Sequence, residues 1–272
     1  MISTSGSSRH SRPVETAAVV SHGRVDVHEA EARVRAVAER AGVALVDDPA
    51  DAQLAVALGG DGTILRTLAR LLGTEVAVIG VNYGRVGFLA SIAPDALEQD
   101  LGRAFAGEYV VLELPTLEAR LDGATFVAVN DVVATSATLG RMVELAWAVG
   151  GEDLGIVPCD GMICSTPSGS TAYNLSNGGP VLVRGLEAMA VTFIAPHSLH
   201  ARPLVVPRGS EVTVRNATPD VGAAVLVDGH RSGDLAPDAR LAIRLGEERS
   251  LLATLPETTF FGRYRETFTS HP

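Results

Sequence analysis

A chain of 272 residues is long enough for one large domain or for two of moderate size, each with its own core. The net charge of −10 argues against broad binding to nucleic acid, because neutralising phosphates requires an excess of Lys and Arg. No uninterrupted run of about 18 apolar residues occurs, so a helix that spans a membrane is not expected. We therefore expect neither nucleic acid, because of the charge, nor a membrane as a partner.

The N-terminal region is rich in Ser and lacks the apolar segment of a secretory signal. We predict a disordered tail over residues 1–14 of a cytoplasmic protein. The two cysteines, Cys159 and Cys164, belong to no cluster with the spacing of a zinc site. They are expected to be small buried residues in a reducing compartment.

Short apolar runs and helical patterns then alternate, which predicts an α/β domain with a parallel sheet over residues 15–112. The predicted strands are residues 16–21, 43–46, 54–58 and 76–81. Helices are predicted around Ala30, Val34, Val37 and Ala38, and over residues 62–72. Residues 93–113 match no specific pattern.

After about Leu112 the apolar runs are short, rich in β-branched residues and separated by Gly, Pro, Asn or Asp. This texture predicts a β-rich, β-sandwich-like domain over residues 113–250. We place the boundary between the two domains within residues 105–115.

Residues 59–63, Gly-Gly-Asp-Gly-Thr, connect a predicted strand to a predicted helix. Glycines let the backbone approach phosphate oxygens closely, and the N–H groups at a helix start attract anions. A carboxylate at this place repels phosphate, so Asp61 is expected either to bind Mg²⁺ or to accept a proton from a substrate hydroxyl. The alternative is a turn in which Asp61 caps the helix.

Two further segments follow apolar strands. Residues 81–89, Val-Asn-Tyr-Gly-Arg-Val-Gly-Phe-Leu, predict a second strand-exit loop beside the first one, or else a plain turn. Asn130 and Asp131 interrupt an apolar run. On a strand their side chains would point to opposite faces, one of them towards a ligand, whereas the alternative is a turn at a strand edge.

Residues 160–180 combine many hydroxyl side chains with four glycines and Tyr173. Such a segment can wrap a sugar and a base, with hydroxyls as hydrogen-bonding groups and Tyr173 as a stacking face. The alternative is a surface linker. Residues 195–203 and 227–230 also carry titratable groups, and we interpret each of them as an ordinary polar turn when considered alone.

Together these segments resemble the NAD kinase family, in family order from about Leu54 to His230. The most specific block is Thr-Pro-Ser-Gly-Ser-Thr-Ala-Tyr at residues 166–173. The resemblance implies the two-domain architecture described above, with residues 251–272 packing back on the first domain. It also implies a homodimer or homotetramer.

The resemblance implies transfer of a phosphoryl group from ATP or inorganic polyphosphate to the 2′-hydroxyl of the adenosine ribose of NAD, which gives NADP. A divalent cation, Mg²⁺ above all, is the implied cofactor, and no residue is assigned as its ligand. Asp61 matches the family's proton acceptor. Donor phosphates would lie against Gly60, Gly62 and Thr63. The residues implied to bind NAD are Arg66, Asn130, Asp131, Arg141, Asp160, Ser168, Thr171, Ala172, Tyr173, Asn174, Leu175, Ser176, Ala195 and His230.

The sequence departs from the family at two positions, since Asp131 stands where many members have Glu and Asn177 where a smaller residue is usual. Two other functions share part of the pattern. A lipid or sugar kinase would share residues 59–63 but lacks the block at 166–173. A non-catalytic NAD or NADP sensor would have no need of a carboxylate beside the phosphates.

Overall fold

The computed structural model describes residues 8–10, 12–21, 28–84 and 87–269, and the chain divides into two compact units. Unit 1 contains Met1–Leu114 and Arg249–Pro272, and unit 2 contains Pro115–Glu248. Each unit has its own apolar core of buried side chains.

Within the described ranges the chain forms seventeen strands and five α-helices. The strands are β1 (Ser8–His10), β2 (Thr16–Ser21), β3 (Ala44–Leu45), β4 (Leu54–Gly59), β5 (Ala77–Asn82), β6 (Val110–Leu121), β7 (Ala124–Ala128), β8 (Asp131–Ser136), β9 (Val143–Val149), β10 (Glu152–Cys159), β11 (Gly161–Ser165), β12 (Ala188–Ile194), β13 (Leu204–Pro207), β14 (Val212–Asn216), β15 (Ala223–Val227), β16 (His230–Leu235) and β17 (Arg240–Thr254). The helices are α1 (His28–Ala41), α2 (Asp61–Arg70), α3 (Leu97–Phe105), α4 (Tyr173–Ser176) and α5 (Phe260–Phe268).

The sheet of unit 1 is parallel, with the strand order β3-β2-β4-β5 and the end of β17 beside β5. Every residue of β4 is buried, as is usual for a parallel strand that is covered on both faces. The four strands predicted in this unit are confirmed.

Both predicted helices of unit 1 are confirmed. α1 buries Ala30, Val34, Val37 and Ala38, the four residues that carried its predicted apolar stripe. α3 was not predicted, although its buried residues also follow helical spacing. It buries Leu97, Leu101, Ala104 and Phe105.

The structure differs from the predicted disordered tail over residues 1–14, because residues 8–10 form strand β1. Residues 8–10 pair antiparallel with residues 110–112 of β6, while residues 1–7 and 11 lie outside the described part of the chain. Strand pairing uses backbone N–H and C=O groups, so a short edge strand forms without the apolar pattern that would reveal it in the sequence.

Unit 2 contains antiparallel strands in two layers. One sheet has the order β13-β12-β11-β8-β15-β16, with every pair antiparallel. The other contains β10, β9, β14 and the first part of β17, again antiparallel, and β6 forms a hairpin with β7.

The two layers of unit 2 share one core. Trp147 of β9 meets Phe193 of β12 edge-on, with ring centroids 5.4 Å apart. Both residues belong to a single buried apolar cluster, as do Cys159 and Cys164. Burial raises the pKa of both thiols to about 12, so they are inert core residues as predicted. The predicted fold class, α/β followed by a β-rich domain, is confirmed.

Among the described residues, no helix is both long enough and apolar enough to cross a membrane.

Candidate functional site

The turn at residues 59–63 joins β4 to α2, as the sequence predicts. Gly60 occupies the N-cap position, and no side chain caps this helix. Asp61 is the first residue of α2. A helix start without a side-chain cap leaves its N–H groups and the positive end of the helix dipole available to an anion.

The Asp61 carboxylate bonds to a neighbouring loop and not to its own helix. Oδ2 accepts the N–H of Phe88 at 2.7 Å, and Oδ1 accepts the N–H of Leu89 at 3.1 Å. A Cβ at position 87 would overlap the Asp61 carboxylate, so glycine is required there for this contact. Asp61 is half-buried, and two backbone donors fix the orientation of its side chain. The helix-cap alternative is therefore wrong.

The second strand-exit loop lies beside the first, as predicted from the parallel sheet. Tyr83 donates its N–H to the carbonyl of Gly59 at 3.1 Å, and Gly60 and Gly84 approach each other backbone to backbone. Arg85 and Val86, which belong to the same segment, lie outside the described residues.

The other predicted residues of unit 1 follow on the first turn of α2. Gly62 and Arg66 are exposed. Thr63 is only 9% exposed, and its hydroxyl accepts a bond from the Arg66 guanidinium at 3.4 Å. The Thr63 side chain thus supports the turn and Arg66, while Gly60, Gly62 and Arg66 face the space at the start of the helix.

In unit 2, Asn130 and Asp131 lie at a turn, so the expectation of a continuous strand through both residues is wrong and the turn alternative is correct. β7 ends at Ala128 and β8 begins at Asp131. The strand breaks because the Asp228 carboxylate accepts three consecutive backbone N–H groups, from Val129 at 2.8 Å, Asn130 at 2.7 Å and Asp131 at 3.2 Å.

Asp131 and Asp228 form a pair of buried carboxyl groups. Burial and the charge of Asp228 together raise the pKa of Asp131 to about 7. Burial also raises the pKa of Asp228, but its three backbone hydrogen bonds favour the ionised form. With a pKa of about 7, Asp131 exists in both its protonated and its ionised form near neutral pH.

The loop that begins at Thr166 hydrogen-bonds to the same turn from the other side. Thr166 donates its N–H to the Asn130 carbonyl at 2.8 Å and its hydroxyl to the Val129 carbonyl at 2.7 Å. A Cβ at position 169 would overlap the Asn130 carbonyl, which requires glycine. The backbone of Asn130 is thus held by Asp228 on one side and by Thr166 on the other.

Two predicted residues beside this turn have polar atoms without a partner. Oδ1 of Asn130 and Oγ of Ser168 are buried and accept or donate no hydrogen bond within the described part of the protein. A buried polar atom without a partner is costly, and a bound ligand that supplies the missing bond removes the cost.

Several hydroxyl groups of residues 160–180 are buried and hydrogen-bonded within the protein. Ser165, Thr166 and Ser170 are fully buried, and each hydroxyl donates to a backbone carbonyl. Asn174 is also fully buried and bonds to Ser170, Pro180 and Thr192. These side chains hold the loop in its conformation through hydrogen bonds within the protein.

The remaining residues of this loop lie at its surface. Tyr173 is 45% exposed, so one face of its ring is available for stacking. Its neighbours are exposed or half-buried, namely Thr171, Ala172, Leu175 and Ser176. His230, at the start of β16, is exposed as well.

A second group of predicted residues lies at the opposite end of the central strands. Asp160 and Ala195 lie next to the pair Gly161–Ile194, where β11 begins and β12 ends. Asp131 pairs with Ser165, where β11 ends. Four residues of strand, roughly 13 Å at about 3.3 Å per residue, separate the two groups. Ala195 has a φ of 43°, a conformation that residues other than glycine rarely adopt, and such strain is often found at binding sites.

Arg141 lies in the loop after β8 and is exposed, paired with Asp220 at 2.9 Å. The described contacts bring it to neither of the two groups.

Sequence reasoning missed three residues that organise the site. Asp228 was assigned to an ordinary polar turn, and Thr192, the partner of Asn174, was considered only as part of a strand. Phe88 belongs to the predicted second loop, but no bond from its N–H to Asp61 was predicted. In the sequence, Asp228 stands out only as an acid directly before Gly229 at the end of an apolar run. An ordinary turn explains that pattern equally well.

Within the described ranges, no group of three or more His, Cys, Asp or Glu side chains could hold a metal ion. Asp61 is the carboxylate that lies at the helix start, and one carboxylate fits a Mg²⁺ that is held mainly by phosphate oxygens and water.

The fold and the site together define a kinase of the class that carries Gly-Gly-Asp-Gly at the end of a parallel strand. The family model of the ATP-NAD kinase N-terminal domain matches residues 14–109, and that of the ATP-NAD kinase C-terminal domain matches residues 129–255. The chain belongs to the NAD kinase family.

Relatives agree with this assignment. The NAD kinase of Gemmatimonas aurantiaca is 38% identical over 80% of this chain and 77% of that protein. The NAD kinase of Heliobacterium modesticaldum is 40% identical over 78% of this chain and 77% of that protein.

Solved structures have the same fold. The structure of an Archaeoglobus fulgidus NAD kinase in complex with ATP superposes with a TM-score of 0.79 at 28% identity, and the match covers 92% of this chain and 98% of that one. A yeast NADH kinase complexed with NADH superposes with a TM-score of 0.84 at 21% identity, covering 96% of this chain and 89% of that one, which supports the fold alone.

Proposed function

We propose that the chain transfers the γ-phosphoryl group of ATP to the 2′-hydroxyl of the adenosine ribose of NAD, giving NADP and ADP. The family assignment and the relative that binds ATP support this reaction. The observation that carries the proposal is the Asp61 carboxylate, which two backbone N–H groups orient at the uncapped start of α2.

Asp61 acts as the general base. The ribose oxygen attacks the γ-phosphorus, the bond from that phosphorus to the ADP oxygen breaks, and the hydroxyl proton passes to Asp61. Each Asp61 oxygen accepts one backbone N–H in the structure, so lone pairs remain for the substrate hydroxyl. The backbone bonds fix the carboxylate geometry before the substrate binds, which lowers the cost of orientation.

The start of α2 binds phosphate. Gly60 and Gly62 present backbone without side chains, and the helix dipole adds positive potential there. The exposed Arg66 guanidinium offers paired donors to a phosphate of NAD. The role of Thr63 is to hold Arg66 and the turn, with its N–H bonded to the Gly60 carbonyl at 2.9 Å.

A divalent cation, Mg²⁺ above all, is the proposed cofactor. It neutralises charge on the transferred phosphoryl group. Since the described residues form no cage of several acids, the cation would be held mainly by the nucleotide, with Asp61 as the acidic side chain beside it.

Unit 2 supplies the residues that recognise NAD. The partnerless Oδ1 of Asn130 and Oγ of Ser168 support hydrogen bonds to the ligand, and the exposed ring of Tyr173 supports stacking. The protonated form of Asp131, which its pKa of about 7 keeps populated near neutral pH, can donate as well as accept a hydrogen bond. The further residues that we assign to NAD are Arg141, Asp160, Thr171, Ala172, Leu175, Ser176, Ala195 and His230, with Asn174 in a supporting role.

We also propose that two or four copies assemble and that the enzyme works in the cytoplasm, as the family resemblance implies. Light scattering on the purified protein gives the number of copies. A homogeneous monomer at assay concentration would contradict the proposed assembly.

The test is an assay of purified protein with Mg²⁺ and either ATP or polyphosphate, with NAD or NADH as acceptor. NADP formation from NAD and ATP is expected. Diacylglycerol and a sugar phosphate serve as control acceptors. Turnover of either control without NADP would indicate a lipid or sugar kinase, and NAD binding without any turnover would indicate a sensor.

A further inference from the structure

The C-terminal helix α5 packs on the loop that orients Asp61. The ring of Phe88 lies 6.1 Å from the ring of Phe260 and 5.7 Å from that of Phe268, measured between centroids. Arg263 of the same helix donates to the carbonyl of Ala90 at 2.8 Å. All of these residues belong to unit 1. Residues 88–90 are therefore held by three side chains from one helix.

The same loop determines where the Asp61 carboxylate lies. Both of its oxygens bond to N–H groups of this loop, one from Phe88 and one from Leu89. A shift of the loop moves these two donors together, and the carboxylate has to follow them or lose its bonds. The chain of contacts thus runs from α5 through Phe88 to Asp61.

Helix α5 contributes little to the core. It buries none of its nine residues completely, and Phe261 and Tyr264 are 62% and 40% exposed. A helix of this kind adds less to stability than α1 or α3, which each bury four apolar side chains. Its aromatic contacts are nevertheless concentrated on Phe88, the residue that donates the shorter bond to Asp61.

The other end of the loop is anchored separately. Ser91 and Ile92 both donate their N–H groups to the Gly80 carbonyl, and Leu89 and Ala90 are buried. Residues after 90 are thus fixed to β5. At residue 88 the described contacts include those with α5 and with Asp61.

We propose that α5 is a positioning element for the general base: the rings of Phe260 and Phe268 and the guanidinium of Arg263 hold residues 88–90 so that their N–H groups orient Asp61. This inference rests on the proposed role of Asp61 and adds a structural requirement for it. The helix touches no reacting atom, so its side chains are positioning residues and not catalytic ones.

The test compares the double variant Phe260→Ala/Phe268→Ala with Thr267→Ala, at an exposed position of the same helix. The double variant should lower kcat at least tenfold, while the dissociation constant for NAD stays within twofold. Thr267→Ala should keep kcat within twofold. Phe268→Tyr retains the ring and should restore most of the rate lost on Phe268→Ala. Arg263→Met removes the bond to the Ala90 carbonyl, together with the ion pair to Glu266, and should also lower kcat, whereas Glu266→Gln, which removes only the ion pair, should not.

Amide hydrogen exchange gives a readout that is independent of turnover. The N–H groups of Phe88 and Leu89 should exchange faster in the double variant and in Asp61→Ala, whereas those of β4 should not change. Unchanged exchange at Phe88 and Leu89, or a normal kcat in the double variant, would overturn the proposal. Loss of NAD affinity together with rate would also overturn it, because that result indicates general loosening.

The Asp61→Asn variant separates this inference from the proposed function. If Asp61→Asn loses its rate and the double variant does not, only the positioning role of α5 is wrong. If Asp61→Asn keeps its rate, the general-base assignment itself fails, and exchange at Phe88 and Leu89 still decides whether α5 holds the loop.

Discussion

Replacing Asp131 by Asn should make the protein more stable at pH 8 and leave its stability at pH 4 nearly unchanged. Asn has almost the same shape as Asp and no charge to bury. Asp131 is only 6% exposed, and burial together with the charge of Asp228 raises its pKa. The ionised form of Asp131 is therefore unfavourable in the folded chain.

The magnitude follows from the pKa. In the folded protein the pKa of Asp131 rises from 3.8 to about 7. Each pKa unit corresponds to about 1.4 kcal/mol, so ionising Asp131 in the folded state costs about 4 kcal/mol at alkaline pH. Between pH 4 and pH 7 the folded state binds more protons than the unfolded state. The contribution of Asp131 to the unfolding free energy therefore falls as the pH rises through this range.

Urea denaturation followed by circular dichroism at pH 4, 5, 6, 7 and 8 measures the effect. The difference between Asp131→Asn and the wild type should grow with pH and level off above pH 7. Asp95→Asn, at an exposed position, is the control and should give a flat difference. A flat difference for Asp131→Asn as well would refute the buried, protonated state that we assign to Asp131.

Three more substitutions test the site. Gly87→Ala places a Cβ on the Asp61 carboxylate and should lower kcat by about 10²-fold. Gly102→Ala has open space around its Cβ and should keep the wild-type kcat. Equal kcat values for the two variants would contradict the contact between residue 87 and Asp61. Asn174→Ala removes three hydrogen bonds of a buried side chain and should lower the unfolding free energy, measured by urea denaturation, by about 2–4 kcal/mol. Asn177→Ala removes one hydrogen bond of a more exposed side chain and should lower it by less than about 1 kcal/mol. Asp228→Asn keeps the backbone φ of 47°, which Asn tolerates, but leaves one oxygen for three N–H groups. Calorimetry should show weaker NAD binding, and unchanged affinity would argue against the role of Asp228 in holding Asn130.

The strands and helices with a clear period were predictable from the sequence. β2 and β4 follow apolar runs, and α1 has its apolar residues on one face. β10 was missed because five of its eight residues are exposed and Pro158 lies within it, which is possible only at a sheet edge. β13 and β16 are also edge strands without a continuous apolar run, and α3 was missed in a segment left without an assignment.

The site was predictable where the chemistry is local and not where it depends on contacts distant in sequence. Residues 59–63 form a strand-to-helix turn because glycines and an apolar strand specify it nearby. The three bonds from the backbone at Asn130 to Asp228 join residues almost a hundred positions apart, and no period in the sequence reveals them. The hydroxyls of residues 165–170 could equally serve a ligand or the loop itself, and only the fold distinguishes the two uses.

The central claim is that Asp61 accepts the proton of the ribose hydroxyl, and the Asp61→Asn variant tests it most directly when kcat and NAD binding are measured on the same preparation. We expect Asp61→Asn to lose about 10²–10⁴-fold in kcat, the range of general-base catalysis, with a nearly unchanged dissociation constant for NAD. A variant that still makes NADP at close to the wild-type rate would contradict it.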